Sequence, residues 1–600
     1  MARARDTGPA LHVSRDAEYA EIEQWYRDLL ERTTPPEDLA WEPVKVGPTW
    51  QYVDGAWLLP DASLGWGFLS WTGYWLTGRA GKPWTWTPEQ ARALLWYFAV
   101  EPTSATGDML FHTYRLQRLK GWGKDPLAAG VSAGSLHAPI VFDHWEGDRP
   151  IGREDEEAWT QILAVNLDQT KNTMKLFPGL IPAETRSHYG IQIGKQNVWS
   201  DGDRRQIEAV TNSVLAIEGG RPKQIIRAEI QNWVEGNGGH EMTAAIEGNA
   251  AKAETGAPAR ILDIFNAYRP GRDSVAERAR LNYDDMTDAG VDPTSHGVLW
   301  DSLEASPEAP LTAKDAPDVV RSVAGDAAWL DTRPNGRIVK SILNPDNSAS
   351  ESRRKWYNQI TGSEDAWVDP RWVDDERNKR SDEKLIDGDR IVLFGDGSKS
   401  RDDTGLMAVR LSDGFAQTLH HQHPRDGELV DRAALNADVD KAFEAYKVVA
   451  FWFDPSHAKA DDAVEDDRFW WPVVDNWHKL YASRLDKQFW PVKSGPKAHS
   501  IAFDMATTQA QQLFQPAVTQ LSEDLEAGDA LHHGGAMLRR HSKNAKRREG
   551  RFGITIGKEN RSSPRKVDLA VCWVGGRMLW RIVRLNKPSG PGKGRVLVME

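Results

Sequence analysis

Residues 110–134 read LFHTYRLQRLKGWGKDPLAAGVSAG. The first part, Leu110 to Arg118, alternates in the manner of a strand, and the last part, from Pro126, has the small apolar residues of a helix. Between them lies Leu119-Lys120-Gly121-Trp122-Gly123-Lys124-Asp125. A strand, a glycine-bearing loop, a lysine and a helix form the layout of a phosphate-binding loop. Glycines let the backbone wrap closely around phosphate, and the first turn of a helix offers unpaired N–H groups to an anion. Lys124 is placed to meet the β- and γ-phosphates, with Lys120, Gly121, Gly123 and Asp125 lining the same loop. The standard pattern has Gly where Arg118 stands and Ser or Thr where Asp125 stands. Taken alone, a Gly-Lys pair reads equally as an ordinary turn.

Three further segments bear on that loop. RPKQIIRAEIQNWVEGNGGHEM (221–242) predicts a short buried strand from Gln224 to Ala228 with Glu229 at its end. A carboxylate there can orient or deprotonate the water that attacks a γ-phosphate. ILDIFNAYRPGRDSVAER (261–278) predicts a strand running into Asn266, then a Pro-Gly turn and a helix carrying Glu277. An amide at that point can touch the γ-phosphate or its water and pass the change on. Upstream, TWTPEQARALLWYFAV (85–100) is a helix with Thr87 as cap and Pro88 in its first turn. Its Gln90 can bond an adenine edge, or can simply be an exposed helical glutamine.

The second half carries a different chemistry. DRIVLFGDGSKSRDDTG (389–405) predicts a strand ending at Asp396, with Gly395 and Gly397 as small neighbours that leave room for metal and phosphate. KVVAFWFDPSH (447–457) predicts another apolar strand ending at Asp454. RKVDLAVCWVGG (565–576) opens a helix-like apolar run with Asp568 at its start. Each aspartate alone fits a turn or a helix N-terminus. Two strand-end carboxylates and one helical carboxylate at one sheet edge form a two-metal nuclease site of the ribonuclease H kind, with cations ~3.5–4 Å apart. Asp402 and Asp403 are weaker candidates, read as exposed turn residues. LHHQHP (419–424) invites a zinc site, but with no nearby cysteine and no helical spacing it reads as a turn at a strand end. The basic run RRHSKNAKRREGR (539–551) offers Arg540, His541, Lys543, Asn544 and Lys546 to DNA phosphates, or else is a solvated charged helix.

In this order the first four pieces resemble the ATPase half of the large terminase subunit family of tailed bacteriophages, particularly its actinobacteriophage members. That family's order is an adenine-side Gln motif, an arginine-bearing phosphate loop, a strand ending in a catalytic Glu, and a coupling Asn motif. AVNLDQTKNTMKLF (164–177) also resembles the strand and helix that follow the family's loop. The resemblance covers about residues 60–300, and the C-terminal half resembles the same family's nuclease. It implies an α/β fold: an N-terminal P-loop ATPase domain of the ASCE type with a mostly parallel sheet, and a C-terminal ribonuclease-H-like α/β nuclease domain. It carries Gln90, Arg118, Lys120, Gly121, Gly123, Lys124, Asp125 and Asn266 over as nucleotide contacts, and Glu229 and Lys124 as catalytic residues. Asp396, Asp454 and Asp568 are carried over as metal ligands, and Arg540, Lys543 and Lys546 as DNA contacts. ATP and Mg²⁺ are the implied cofactors, with Mn²⁺ an alternative at the nuclease. The implied partners are double-stranded viral DNA, the portal protein of the procapsid, a terminase small subunit, and further copies in a pentamer on the portal. The implied place is the host bacterial cytoplasm and transiently the procapsid, not the mature virion. Two departures stand out. Asp125 replaces the loop hydroxyl that binds Mg²⁺, and Ala228 replaces the aspartate that precedes the catalytic glutamate. The two changes are expected to compensate, Asp125 supplying the hard oxygen that Ala228 lacks. The rival readings are another ATP-dependent DNA translocase or helicase joined to a nuclease, and a capsid-docking nuclease with a degenerate ATPase.

The whole chain fits this organisation. At 600 residues it exceeds one core, so at least two domains are expected. The divisions read from composition are an N-terminal segment 1–60, an ATPase region 61–345 including a linker subdomain, an interdomain linker 346–384, and a nuclease domain 385–600. The Ala/Pro/Asp-rich stretch 302–350 reads as exposed helices or a hinge. A net charge of −12 argues against a protein that merely coats DNA. The single cysteine, Cys572, excludes an intrachain disulfide and a cysteine-based zinc site. There is no apolar run long enough to span a membrane and no apolar signal core in MARARDTGPALHVSRD. The 27 tryptophans, dense before residue 100, are either a Trp-rich core or a docking face.

Overall fold

The computed structural model describes residues 15–210, 220–250, 259–361, 365–400, 402–424, 428–455, 469–558, 563 and 565–586. The N-terminal stretch read above up to residue 14 lies outside them, as do the side chains of residues 167–169 within 164–177. The chain forms two compact units, 1–361 and 362–600.

The first unit is built on a nine-stranded sheet. Its strands are β1 (Val44–Val46), β2 (Thr113–Gln117), β3 (Trp159–Leu163), β4 (Gln192–Ile193), β5 (Asn197–Ser200), β6 (Arg205–Val210), β7 (Gln224–Ala228), β8 (Arg260–Phe265) and β9 (Val298–Glu304). They lie in the order β1-β9-β2-β8-β7-β3-β6-β5-β4. The strands from β9 to β6 run parallel, while β1, β5 and β4 are antiparallel additions at the edges. Every residue of β7 and of β8 is buried. That is the burial of parallel strands covered on both faces by helices, and it explains why they read as continuous apolar runs. β8 stands between β2, which leads into the glycine-bearing loop, and β7, which ends before Glu229, in the mostly parallel sheet expected above. The helix Lys124–His137 packs into the core through small residues: a Cβ on Gly130 would stand 2.4 Å from Trp86, and one on Gly134 2.3 Å from Phe68.

Residues 15–60 are part of this unit. The helix Arg15–Glu31 packs on the helix Gly65–Trp75, and β1 closes one sheet edge. The tryptophan-rich stretch is core: Trp71, Trp75 and Trp86 are buried, with Trp41, Trp66, Trp84 and Trp96 packed against them. The stretch 302–350 departs from the expected exposed helices. The helix Ala316–Ala324 buries Ala316, Val319, Val320 and Val323 against the main core, because its apolar residues fall on one face. The helix Ala349–Trp356 belongs to the first unit, and residues 365–384 belong to the second.

The second unit has a four-stranded sheet of β10 (Arg390–Asp396), β11 (Thr404–Arg410), β12 (Ala416–Gln422) and β13 (Lys447–Asp454), ordered β12-β11-β10-β13. β12, β11 and β10 form an antiparallel meander and β13 adds parallel to β10, a ribonuclease-H-like sheet. The helix Asp568–Leu585 lies across β10 and β11. Gly575 and Gly576 allow that approach: a Cβ on Gly575 would stand 2.4 Å from the Phe394 ring, and one on Gly576 2.8 Å from Val409.

Candidate functional site

In a parallel sheet the carboxyl ends of neighbouring strands share one edge, the usual ligand edge of such folds. Here β2, β7 and β8 end at Gln117, Ala228 and Phe265, so the loop after β2, Glu229 and Asn266 are brought to that edge together. The loop turns at Gly121 (φ 83°) and Gly123 (φ 103°), left-handed conformations that favour glycine. Gly123 is also the residue before the helix that begins at Lys124. Lys124 is 7% exposed, and its Nζ donates to the carbonyls of Arg118 and Leu119 at 3.0 Å each. Asn266 Nδ2 donates to the same Arg118 carbonyl at 2.7 Å. Glu229 holds φ 58°, a strained backbone for a residue with a side chain, and its Oε2 accepts from Gln231 Nε2 at 2.6 Å.

The charges of these residues act on one another. Burial pushes the Lys124 ammonium down to about 8, against the opposing pull of Glu229 and Asp125. Burial raises the Asp125 carboxyl; Lys124 opposes the shift and Glu229 adds to it. Lys124, Asp125 and Glu229 therefore form one electrostatic group, with Asp125 standing where the loop hydroxyl is expected. Ala228 is buried and its carbonyl accepts from Trp233 Nε1 at 3.0 Å.

Other expected nucleotide contacts are placed differently. The Arg118 side chain, 1% exposed, pairs with Asp301 at 2.5 Å and lies over the Trp50 and Trp122 rings, so its carbonyl rather than its guanidinium serves the loop. The Lys120 side chain is exposed. Gln90 is buried in a capping box, its Oε1 accepting from Thr87 N–H at 3.2 Å, while its Nε2 lies 3.9 Å from where a Gly123 Cβ would stand. The acceptor end of its amide is thus engaged in the cap and the donor end faces the loop.

Three residues near the loop escape a reading of spacing. Trp329 Nε1 donates to the Gly121 carbonyl at 3.0 Å, and its ring comes within 3.1 Å of the Gly123 Cβ position. Glu89 and Asp326 bond each other's backbone N–H at 2.7 and 2.9 Å. Burial, then the Asp326 charge, pushes the Glu89 carboxyl up to about 8. Their separation along the chain leaves no local signal to find them by.

In the second unit Asp396 and Asp454 are register partners at the ends of the parallel pair β10 and β13. Asp568 begins the helix that crosses β10 and β11. Burial and then the charges of Asp454 and Asp568 raise the Asp396 carboxyl well above the usual range, so the three carboxylates lie within electrostatic reach of one another. Burial, then Asp402 and Asp403, pushes Asp568 up to about 7. Asp454 Oδ1 accepts from Met505 N–H at 3.2 Å, whereas Asp568 Oδ2 is buried with no hydrogen-bond partner among the described residues. Mutually repelling carboxylates, two of them buried and one half-buried, fit divalent cations, whose charge would relieve the repulsion. The glycines beside Asp396 act otherwise than expected. A Cβ on Gly395 would stand 2.5 Å from Phe453 and one on Gly397 2.6 Å from Trp470, so aromatic packing takes that room.

Asp403 corrects the expectation of an exposed turn residue. It is 1% exposed and accepts from His421 Nε2 and His423 Nδ1 at 2.6 Å each, with His541 Nε2 at 3.3 Å. The LHHQHP stretch is therefore not a bare turn: β12 carries His420 and His421 through Gln422, His421 and His423 fold onto the buried Asp403, and His420 bonds Asp438. Asp402 is half-buried and accepts from Lys558 and Lys566. The basic run is also rearranged. Lys543 pairs with Asp374 at 2.6 Å and Lys546 with Asp365 at 2.9 Å; the two lysine side chains are largely buried while their carboxylate partners stay partly exposed. Arg540 is half-buried. The three do not form a solvent-facing row.

The folds and the two sites define a class of chain that joins a phosphate-loop sheet to a ribonuclease-H-like sheet bearing a carboxylate cluster. The gene 13 protein of Mycobacterium phage L5 is 34% identical over 594 residues, covering 90% of this chain and 95% of that protein. The gene 13 protein of Mycobacterium phage D29 is 34% identical over 599 residues, with the same coverage of 90% and 95%. The chain belongs to the family of these mycobacteriophage gene 13 proteins. No protein-family model matches it. Among solved structures, the HK97 bacteriophage large terminase is similar with a TM-score of 0.41 at 13% identity, over 86% of this chain and 99% of that one. The large terminase of thermophilic bacteriophage D6E gives 0.26 at 10% identity, over 81% and 98%. The large terminase nuclease of thermophilic phage G20c with bound magnesium gives 0.25 at 10% identity, over 36% and 97%.

Proposed function

We propose that this chain is a terminase large subunit: an ATP-driven motor that moves double-stranded viral DNA into a procapsid, and a metal-dependent endonuclease that cuts the concatemer. The observation that carries the reading is that Asp396 and Asp454 are register partners whose carboxyls, with that of Asp568, act on one another, in a chain whose other unit gathers Lys124, Asp125, Glu229 and Asn266 at one sheet edge. The order of motifs along the chain supports the same reading. Its partners in this role are viral DNA, the portal, a small subunit and further copies of itself on the portal, in the host cytoplasm. Among the described residues no helix is long and apolar enough to cross a membrane.

In the first unit, a triphosphate entering the loop offers anionic oxygens to Lys124, whose Nζ otherwise rests on the Arg118 and Leu119 carbonyls. Loop N–H groups and the helix beginning at Lys124 cradle the phosphates. Glu229, oriented by Gln231, accepts a proton from the attacking water at its carboxylate. Asn266 shares the Arg118 carbonyl with Lys124, so a shift of the lysine is passed to the end of β8. Asp125 would hold the Mg²⁺ that accompanies ATP. In the second unit Asp396, Asp454 and Asp568 would hold divalent cations, which supply Lewis-acid stabilisation of the attacking and leaving oxygens of a phosphodiester.

The test uses the full chain with plasmid DNA and purified procapsids. DNA-stimulated ATP hydrolysis, protection of DNA inside procapsids and Mg²⁺- or Mn²⁺-dependent cleavage are the expected results. Cleavage without any ATP hydrolysis would instead favour a capsid-docking nuclease, and duplex unwinding a helicase.

A further inference from the structure

We infer that His541, standing beside Asp403, forms a latch that positions Asp568, and that the imidazoles around Asp403 carry their protons toward it and do not make a second cation cage. This rests on the reading of Asp568 as a metal ligand.

The argument begins with one backbone N–H. Leu569, in the first turn of the helix that starts at Asp568, donates its N–H to His541 Nδ1 at 3.1 Å. A ring nitrogen that accepts cannot also carry the proton, so the neutral imidazole holds it on Nε2. That nitrogen stands 3.3 Å from Asp403 Oδ2, an electrostatic contact without hydrogen-bond geometry. His541 is 1% exposed, so this arrangement is set inside the protein. Asp403 is in turn fixed by His421 and His423, and lies on the segment that links Asp396 at the end of β10 to β11. The chain of contacts therefore runs from that segment through Asp403 and His541 to the backbone beside Asp568.

The alternative is a cation among Asp403, His421 and His541, whose potential ligand atoms lie within 4.8 Å of one another. Coordination through His541 Nε2 requires its lone pair, which moves the proton to Nδ1. Nδ1 would then point a proton at the Leu569 N–H, donor against donor. That one backbone contact closes the group to a cation at His541. It also explains why positioning matters at Asp568. Among the described residues its Oδ2 has no hydrogen-bond partner to hold it, so its place follows from the first helical turn, which His541 ties down.

The test compares His541→Asn, His541→Gln and Asp568→Ala in the full chain. Asparagine keeps an acceptor near the Nδ1 position, and glutamine keeps a donor near the Nε2 position. The readouts are hydrogen exchange of the Leu569 amide and Mn²⁺ affinity by calorimetry without nucleotide or DNA. H541N should retain Leu569 protection and near-native Mn²⁺ affinity. H541Q should lose the protection and bind Mn²⁺ about 10–100-fold more weakly, as for loss of an outer-shell partner. Equal behaviour of the two variants, with an intact effect of D568A, would overturn the latch alone. Unchanged Mn²⁺ binding in D568A would remove Asp568 as a ligand and the latch with it. Zn²⁺ bound tightly by D568A and released by adding His421→Ala would establish the cage instead.

Discussion

Arg118 and Asp301 form an ion pair at 2.5 Å with each side chain 1% exposed, and the Arg118 backbone carbonyl is the acceptor shared by Lys124 and Asn266. Asp301 also accepts from Trp50 Nε1 at 3.1 Å and Tyr114 at 3.3 Å. Removing one partner of such a pair strands a buried charge, at a cost of about 3–5 kcal/mol. Asp301→Ala should therefore lower the unfolding temperature of the first unit and weaken ATP binding. The paired change Arg118→Met with Asp301→Leu should destabilise less than Asp301→Ala alone. Calorimetric scans of the three variants check the ordering.

Glu229 is held in a left-handed backbone conformation beside Lys124 and Asp125. Glu229→Gln keeps the shape and removes the base. ATP hydrolysis should fall by about 10²–10⁴-fold while nucleotide binding persists. Lys124→Ala should lose binding as well. Equilibrium binding of a fluorescent ATP analogue, set beside steady-state hydrolysis, separates the two effects.

Asp125 carries the carboxylate that position 228 lacks. Asp125→Ala should weaken the Mg²⁺ dependence of ATP hydrolysis by on the order of 10-fold or more. The exchange Asp125→Ser with Ala228→Asp should recover most of it. The measurement is the half-saturating Mg²⁺ concentration at fixed ATP. Unchanged values in D125A would remove Asp125 from the metal site.

Asp396 and Asp454 face each other across parallel strands, so neither can be replaced by a neighbour on its own strand without turning to the other sheet face. Asp396→Asn and Asp454→Asn should each lower metal-dependent DNA cleavage by on the order of 10²-fold or more, leaving ATP hydrolysis intact. A plasmid-nicking assay with Mn²⁺ reads the first effect and phosphate release the second.

Burial and the nearby Asp402 and Asp403 charges hold the Asp568 carboxyl up to about 7, against an ordinary value of 3.8. Between those values the folded chain binds a proton that the unfolded chain has lost, so stability falls as pH rises. In EDTA the contribution should be fully present below about pH 4 and lost as pH passes about 7. Cations require the deprotonated form, so stabilisation by Mn²⁺ should be larger at pH 8 than at pH 5.5. Thermal scans across pH with and without Mn²⁺ test the sign.

The local patterns that define the two sites were open to reading because they sit within single elements. The strand Gln224–Ala228, the cap at Thr87, the helix starting at Lys124 and the strand ends at Asp396 and Asp454 follow from periodicity, glycine punctuation and capping. The amphipathic helix Ala316–Ala324 was misjudged because its composition resembles an exposed linker while its apolar spacing points one face inward. The nature of Asp403 was hidden for another reason. An aspartate after a glycine-rich strand end has the composition of a turn, and only the return of His421 and the arrival of His541 bury it.

The sequence by itself determined which short segments become strand, loop and helix, and hence which residues stand at strand ends and helix starts, because those outcomes depend on neighbours a few positions away. Tertiary structure alone decided which charges are paired. Arg118 with Asp301, Lys543 with Asp374, Lys546 with Asp365 and His541 with Asp403 join residues far apart in the chain. A buried ion pair or hydrogen bond depends on distance and desolvation in space, and nothing in the spacing of residues along the chain encodes either one.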